Sequence, residues 1–383
     1  MSGVILAAML VSGSVWAGWQ DPLQSPAMPT ERAHRNLLLD VVRADNRLVA
    51  VGTHGHIIVS DDHGLSWQQA RVPVTATLTA VHFPSGQYGW AVGHDGVILH
   101  SNDGGLNWTK QFDGYVANDA IVAAAQKRLQ LAEARLEQAR LDDDPLAIED
   151  AEMRLENAIF GLDDAQYDAS TGSTKPFLDV WFYDARRGFA LGAYGMIFHT
   201  QDGGQTWEDA SARLPNPDRL HLNAITVVGA QSLVIVGEMG LFVRSDDLGE
   251  NWHQQMSPYD GSLFGLVSHD DHQLLFGLRG HVFRSDDGGI QWQELQTGSE
   301  QSLFGGFVGR KNTLLVGNGG SVVFFDAELG KPRSLILEGR QPYAAVVEAR
   351  NGDYVLVGEA GVKRLNAQGD LLDQHISMAA GDF

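Results

Sequence analysis

LDVWFYDARRGFALGAYGMIFHTQDGGQTWE, residues 178–208, decides the fold. Residues 178–182 form a short apolar and aromatic run, residues 188–192 a second, residues 196–200 a third, and Thr206-Trp207-Glu208 opens a fourth. Each run has the length and composition of a β-strand and is bounded by Gly or Asp. Between the second and third runs stand two glycines three residues apart, Gly192 and Gly195. The same pair returns as Gly52/Gly55, Gly93/Gly96, Gly237/Gly240, Gly277/Gly280, Gly317/Gly320 and Gly358/Gly361. The steps along the chain are 41, 99, 45, 40, 40 and 41 residues. A period near 40 made of four short strands predicts a propeller blade, and seven copies predict an all-β, seven-bladed β-propeller over residues 36–376.

A second motif rides on the repeat. Ser60, Asp62, Gly64 and Trp67 have the form S/T-x-D-x-G-x-x-W. It recurs at Ser101/Asp103/Gly105/Trp108, Thr200/Asp202/Gly204/Trp207, Ser245/Asp247/Gly249/Trp252 and Ser285/Asp287/Gly289/Trp292. This is the Asp-box of BNR-type propellers. It predicts a hairpin turn between strands three and four, with the carboxylate accepting backbone N–H groups and the Trp covering the blade joint. One active site would need one such carboxylate, so the repeated Asp residues are read as structural. The sixth and seventh units have lost the box.

The long step holds about 58 residues more than its neighbours, and its period changes from two to three and a half. Val122, Ala125, Leu129, Ala132, Leu136 and Ala139 form one seam. Ile148, Ala151, Leu155, Ala158, Leu162 and Ala165 form another. Asp142-Asp143-Asp144-Pro145 stops the first helix, and Asp144 caps the second with Pro145 in its first turn. Residues 114–174 are therefore expected to be an antiparallel α-helical hairpin between blades 2 and 3. Each helix should have about 22–26 residues and reach about 33–39 Å. Ile121, Leu131, Leu141, Ile159 and Phe160 fall off the seams and are read as residues that dock the arm on a partner.

Blade topology orients the molecule. The Asp-box turns lie on one face, while the Gly-x-x-Gly turns and the links between blades lie on the other. The hairpin follows a fourth strand, so it should rise from the Gly-x-x-Gly face. Between the paired glycines the residues do not repeat, as expected where scaffold ends and recognition begins. Candidate binding residues are His54, His94, Asp95, Tyr194, Glu238, Arg279, Asn318 and Glu359. His54, His94 and Asp95 lack a spacing that would define a metal site, and neither a metal nor a cofactor is expected. No nucleophile elbow, phosphate loop or His-Glu-x-x-His motif occurs, so no catalytic residue is assigned.

With 27 Lys+Arg against 48 Asp+Glu, the net charge of −21 argues against nucleic acid and anionic lipid surfaces. The chain has no cysteine, which removes disulfides, thiol catalysis and a lipid anchor on cysteine. Residues 1–17 read as a signal peptide, with an apolar stretch to Trp16 and a small-x-small site at Val15-Trp16-Ala17. The usual basic start is missing, since no Lys or Arg precedes Arg32. A periplasmic or otherwise exported protein is expected, not membrane-spanning after cleavage.

The repeats of the form V/L/F-G-x-x-G with S-x-D-x-G-x-x-W turns resemble the photosystem II stability/assembly factor family of BNR-like propellers. The similarity covers about residues 36–375 outside the insertion and includes the second strands at residues 89–93 and 188–192. It implies a non-enzymatic assembly or accessory factor that binds a membrane protein complex or envelope protein. In non-photosynthetic bacteria it implies an accessory of complexes such as RND-type exporters. The acidic composition and the helical arm depart from the family's arginine-lined pattern and favour an envelope partner. The alternative is a sialidase-like glycan hydrolase or glycan-binding propeller. It requires Arg219, Arg279 and Arg340 to converge beside Tyr194 and Glu238.

Overall fold

The computed structural model describes residues 20–269, 271–326, 329–372 and 376–379. The segment read as a signal peptide lies outside them. Seven antiparallel sheets follow one another along the chain, each starting with its innermost strand. Blade 3 is representative: Phe177–Phe182, Gly188–Gly192, Ile197–Thr200 and Glu208–Asp209 pair in sequence order. The second strands are buried on both sides, as in Gly188–Gly192 and Arg47–Gly52. Apolar side chains of adjacent sheets pack face to face, and each joint is its own cluster. Trp90, Phe182 and Trp207, for example, lie between blades 2 and 3.

The paired glycines have a steric cause. Gly52 is in extended backbone, but a Cβ there would lie 2.2 Å from the Leu37 carbonyl oxygen of the preceding strand. At Gly55 a positive φ of 68° coincides with the Val74 oxygen, 2.0 Å from a Cβ position. The turn packs directly on backbone, so no side chain fits at either end.

Each Asp-box is a closed hydrogen-bonded turn. In the fourth blade Asp247 accepts from Asn251 N at 2.9 Å, Asn251 Nδ2 at 2.7 Å and Ser245 Oγ at 2.7 Å. Asp62, Asp103, Asp202 and Asp287 likewise accept the backbone N–H four residues on. The hydrogen bond from the Asn251 side chain leads in pulling the Asp247 carboxyl down to about 2. Trp67, Trp108 and Trp252 donate Nε1–H to the box glycine's carbonyl and fill blade joints. Trp207 fills a joint too, although its Nε1 has no acceptor among the described residues.

The tryptophan of the fifth box corrects the expectation that every box Trp covers its joint. Trp292 is only half-buried, on the margin of the cluster between blades 4 and 5, edge-on to Phe242 at 5.9 Å. Its Nε1 also lacks an acceptor among the described residues. The cause is the neighbouring blade. Gly64 is met by Val355 of blade 7, and Gly249 by Phe189 of blade 3, so the preceding blade closes over those boxes. At Gly289 the nearest atoms belong to Gln273 and Trp292 of its own blade, and the indole is left partly open.

Two further features depart from the four-strand repeat. Among the described residues blade 7 has three strands, Tyr343–Glu348, Tyr354–Gly358 and Gly361–Leu365. The ring closes differently: Ser377–Met378 adds in parallel to the outer strand of blade 1, beyond residue 376. There Ser377 N donates to Leu65 O and Ala379 N to Trp67 O. The 3-10 turn Ala33–Arg35 seals against blade 7, where His34 O sits 2.1 Å from a Cβ position on Gly361.

The innermost strands surround a cavity of about 440 Å³. Most carry a bulge beside their first residue, as between Leu38 and Asp40 or Leu222 and Ala224. The extra residue re-aims the side chains. In blades 1 and 3 an aspartate beside the first residues ties one blade to the next. Asp40 accepts from Val41 N at 2.7 Å and Val81 N at 2.9 Å. Asp179 accepts from Val180 N and Ile225 N, both at 2.8 Å. Burial pushes Asp40 up to about 6. It pushes Asp179 up to about 7, to which the charge of Asp40 adds. His82 accepts from Phe182 N on Nδ1 at 3.2 Å, and burial lowers it to about 4, so its ring is neutral.

The insertion is an antiparallel pair of helices, α1 (Gly114–Leu141) and α2 (Pro145–Ser170). At 28 residues, about 42 Å, α1 is somewhat longer than its seam indicates, while α2, at 26 residues and about 39 Å, is as expected. The added length lies at the base, where Asp113 caps α1 through Tyr115 N and Val116 N. Asp144 caps α2 through Leu146 N and Ala147 N. Ala125, Ala132, Leu136 and Ala139 are buried on one helix, Ala151 and Ala165 on the other.

Candidate functional site

The turns between paired glycines lie at one end of the blades, and the arm is rooted among them. Gly96 of blade 2 packs on Gly114 at the start of α1, with a Cβ position 2.7 Å from the Gly114 Cα. Ser173 Oγ donates to Asp95 O at 2.5 Å, and Asn118 Nδ2 to Gly172 O at 3.0 Å.

The second residue of the turn has a positive φ in six blades: His54, Asp95, Tyr194, Met239, Arg279 and Gly319. This conformation turns those positions away from the sheet, and His54, Tyr194, Met239 and Arg279 are exposed. Asn318, Glu359 and His94 are also exposed. Asp95 is half-buried, and burial raises its carboxyl.

The candidates do not form one constellation. Tyr194 packs edge-on against His221 at 4.9 Å, and His221 Nδ1 lies 3.9 Å from Glu238 Oε2. His221 N also donates to that oxygen at 3.3 Å. Lys175 stands 5.7 Å from the Tyr194 ring centre. Tyr194 and Glu238 therefore share a neighbourhood through His221. Arg279 sits on the blade 5 turn, where its backbone N–H donates to Ser302 Oγ, while the Arg340 backbone packs on Gly320 of blade 6. Neither lines the cavity that holds Arg219 and Tyr194, so the three-arginine convergence of a sialidase-type site does not occur. Among the described residues, no group of three or more His, Asp or Glu is placed to hold a metal.

A concavity lies between the arm and blade 3. It has a volume of about 640 Å³ and runs under Leu131 and over Tyr194 and Met196. Five cations line it, Arg128, Arg135, Arg154, Lys175 and Arg219, against Asp168 and Asp209. Lys175 pairs with Asp168, Arg154 with Asp150 at 2.6 Å, and Arg219 with Asp164 at 3.9 Å. Arg128 and Arg135 form no hydrogen bond or ion pair among the described residues, and both are exposed. Two turns apart on α1, they present two exposed guanidinium groups suited to carboxylates. The overall charge of −21 hid this basic cleft. The sequence signal was the spacing of Ile121, Arg128 and Arg135, seven residues each.

The arm candidates divide. Ile121 is half-buried: it packs against the joint of blades 2 and 3 and also lines the cleft. The base of α1 still lies against the propeller there. Leu131 faces the cleft and is 55 % exposed. Leu141, Ile159 and Phe160 are exposed. Leu146, Met153 and Tyr167, which the seam analysis passed over, are exposed as well.

Seven blades, five of them with Asp-box turns, define a BNR-type β-propeller carrying a helical arm on its variable face. A sequence profile described as Photosynthesis system II assembly factor YCF48 matches residues 20–116 and 166–265, just over half of the chain. The chain belongs to this family. The match passes over most of the arm. Among curated relatives, the Photosystem II assembly lipoprotein Ycf48 of Synechococcus sp. (strain CC9902) is 41 % identical over 75 residues, 20 % of this chain and 22 % of that one. Its counterpart in Parasynechococcus marenigrum (strain WH8102) is 44 % identical over 52 residues, 14 % and 16 % of the two chains. The aligned part thus spans about a fifth of the length of these relatives. In fold, the chain is similar to YCF48 from Cyanidioschyzon merolae, with TM-score 0.60, 14 % identity and coverage of 89 % and 98 %. It is similar to YCF48 bound to D1 peptide, with TM-score 0.58, 13 % identity and coverage of 86 % and 92 %. The WD40 propeller domain of Doa1 gives TM-score 0.56 at 12 % identity, over 90 % and 95 % of the two chains. Among the described residues, no helix is long and apolar enough to cross a membrane.

Proposed function

We infer that this protein is a non-enzymatic, exported assembly or accessory factor that holds a segment of a membrane protein while a complex is built. The observation that carries this reading is the cleft under the arm. An acidic protein concentrates cations there, and among the described residues Arg128 and Arg135 make no hydrogen bond or ion pair. Such a site fits an extended segment bearing carboxylates, with Tyr194 and Leu131 as apolar contacts. Family membership supports the same reading, as does a relative of the same fold described as bound to D1 peptide. Export is in keeping with relatives named as lipoproteins. Outside photosynthetic cells the same grip would serve an envelope complex such as an RND-type exporter.

The test is capture from detergent-solubilised membranes by the full chain, by a chain lacking residues 114–174, and by R128E/R135E. Recovery of a membrane protein by the full chain, lost in both variants with the propeller still folded, is expected. Equal recovery by all three overturns the reading.

A further inference from the structure

The arm has a second surface, distinct from the cleft. Leu146, Met153, Phe160 and Tyr167 stand on α2 with 78, 58, 60 and 71 % of their surface exposed. They are spaced seven residues apart. Seven residues are close to two turns, so the four form one line along the helix, slipping back by about 20° per step. The opposite side of α2 meets α1: Ala151 is buried with Leu136 and Ala139, and Ile148 and Leu155 pack against them. The cleft is lined from a third direction, by Arg154, Asn157, Gly161 and Asp168. The line therefore touches neither.

Large apolar side chains at strict heptad spacing supply one of the two positions of a seam with a second helix; the other, at i+3 or i+4, is mostly acidic and calls for a basic partner residue. The slip of the line is what a left-handed supercoil takes up. The flanks state the charge of that helix. One turn from the line, at i+3 and i+4, stand Glu149, Asp150, Glu156, Asp163 and Asp164, of which Asp150 is paired with Arg154 and Asp164 with Arg219. Across its whole length α2 carries seven acidic residues and one basic residue, Arg154, which is already paired with Asp150.

We propose that this line docks a basic amphipathic helix of another protein, with apolar residues at heptad spacing and Lys or Arg beside them. A second copy of this chain would set acidic flanks against acidic flanks, which disfavours self-pairing. The same carboxylates repel an anionic lipid surface. Since the line and the cleft face different ways, the arm can hold this helix while the cleft is filled.

The probe is a synthetic four-heptad peptide with a Leu/Ile seam and Lys at the flanking positions. A twin carries Glu there, and both are titrated into the full chain by fluorescence anisotropy at low and high salt. The basic peptide should bind, weaken with salt, and lose at least about tenfold in M153E/F160E. Both residues are exposed, so the unfolding midpoint should not move. E149K/E156K/D163K should reverse the preference toward the acidic twin. Equal binding of the twins, binding of neither, or indifference to M153E/F160E overturns the proposal. So does arm-dependent dimerisation in sedimentation, or pelleting with phosphatidylglycerol vesicles. R128E/R135E should leave peptide binding intact, so failure here is distinguishable from failure of the cleft.

Discussion

Ser173 Oγ donates to the backbone oxygen of Asp95 at 2.5 Å, joining the last residues of the arm to the variable turn of blade 2. Asp95 is one residue from Gly96, on which Gly114 rests, so both ends of the hairpin meet one turn. The arm is thereby set at a fixed root on the face of the variable turns.

Gly114→Val tests that root. A Cβ there would stand 2.2 Å from Ser173 Oγ and 2.9 Å from Asp95 O. We expect a loss of about 1–3 kcal/mol, as for other overpacked sites. Amide exchange should rise in the first turns of α1 and around residue 173, with blades 4–6 unchanged.

The buried aspartates give a pH signature. Asp40 and Asp179 have folded-state values of about 6 and about 7 against an ordinary 3.8. Between 3.8 and those values the folded state binds more protons than the unfolded state, so their contribution to stability falls as pH rises through that window. His82, lowered to about 4, acts the other way, and stability from its neutral ring grows from about pH 4 to its ordinary 6.5. The difference between wild type and D40N/D179N isolates the carboxylates. Each Asn puts an amide donor where one backbone N–H, of Val81 or Ile225, now finds an acceptor. The double variant should be destabilised most at about pH 4 and below, by about 1–3 kcal/mol per site. The gap should narrow toward about pH 8, and urea unfolding at several pH values reads it. A gap that does not change with pH contradicts the assignment.

Asp247 acts in the opposite sense. Held near 2 in the folded state, it contributes stability above its ordinary 3.8 that is lost as pH falls from about 4 to about 2. Asp247→Ala removes three acceptor contacts and should lower stability by about 1–3 kcal/mol at pH 7. Since these contacts are internal to the turn, EDTA should leave the Tm of the wild type unchanged. A calcium-dependent Tm would contradict a purely structural box.

Ring closure is testable by truncation after Leu372. This removes Ser377–Met378 from the edge of blade 1 and uncovers Trp67, whose carbonyl pairs with Ala379 N. Two backbone hydrogen bonds and the packing of Ile376 and Met378 go with it. A loss of about 3–5 kcal/mol is expected, with Trp67 fluorescence shifting before the rest of the molecule unfolds.

Blade count, Asp-box turns and the hairpin were legible because each is local. A strand, a turn and a helix seam leave their period in consecutive residues. Gly93 and Gly96 announced a turn, and Ala132 and Leu136 announced a helix seam. The reading failed where partners lie far apart in the chain. The described part of blade 7 holds three strands, and the ring closes through Ser377–Met378 on blade 1, a pairing over 300 residues apart that no local pattern encodes. Ile121 lies off the seam, and its packing against the propeller wall is a contact no local pattern shows. Trp292 is the reverse case. Its box is complete in sequence, but the cover of its indole comes from blade 4, which leaves it half open.

Charge shows the same division. Counting residues yields a net −21 and no more. Which cations gather is decided by how far the arm leans over blade 3, which brings Arg128 and Arg135 over Tyr194. The sequence by itself determined the seven repeats, the two faces and the presence of an arm, because short-range sterics and hydrogen bonding set them. Only the tertiary structure decided which faces of that arm meet the propeller, the cleft or solvent, because burial depends on contacts between segments distant in the chain.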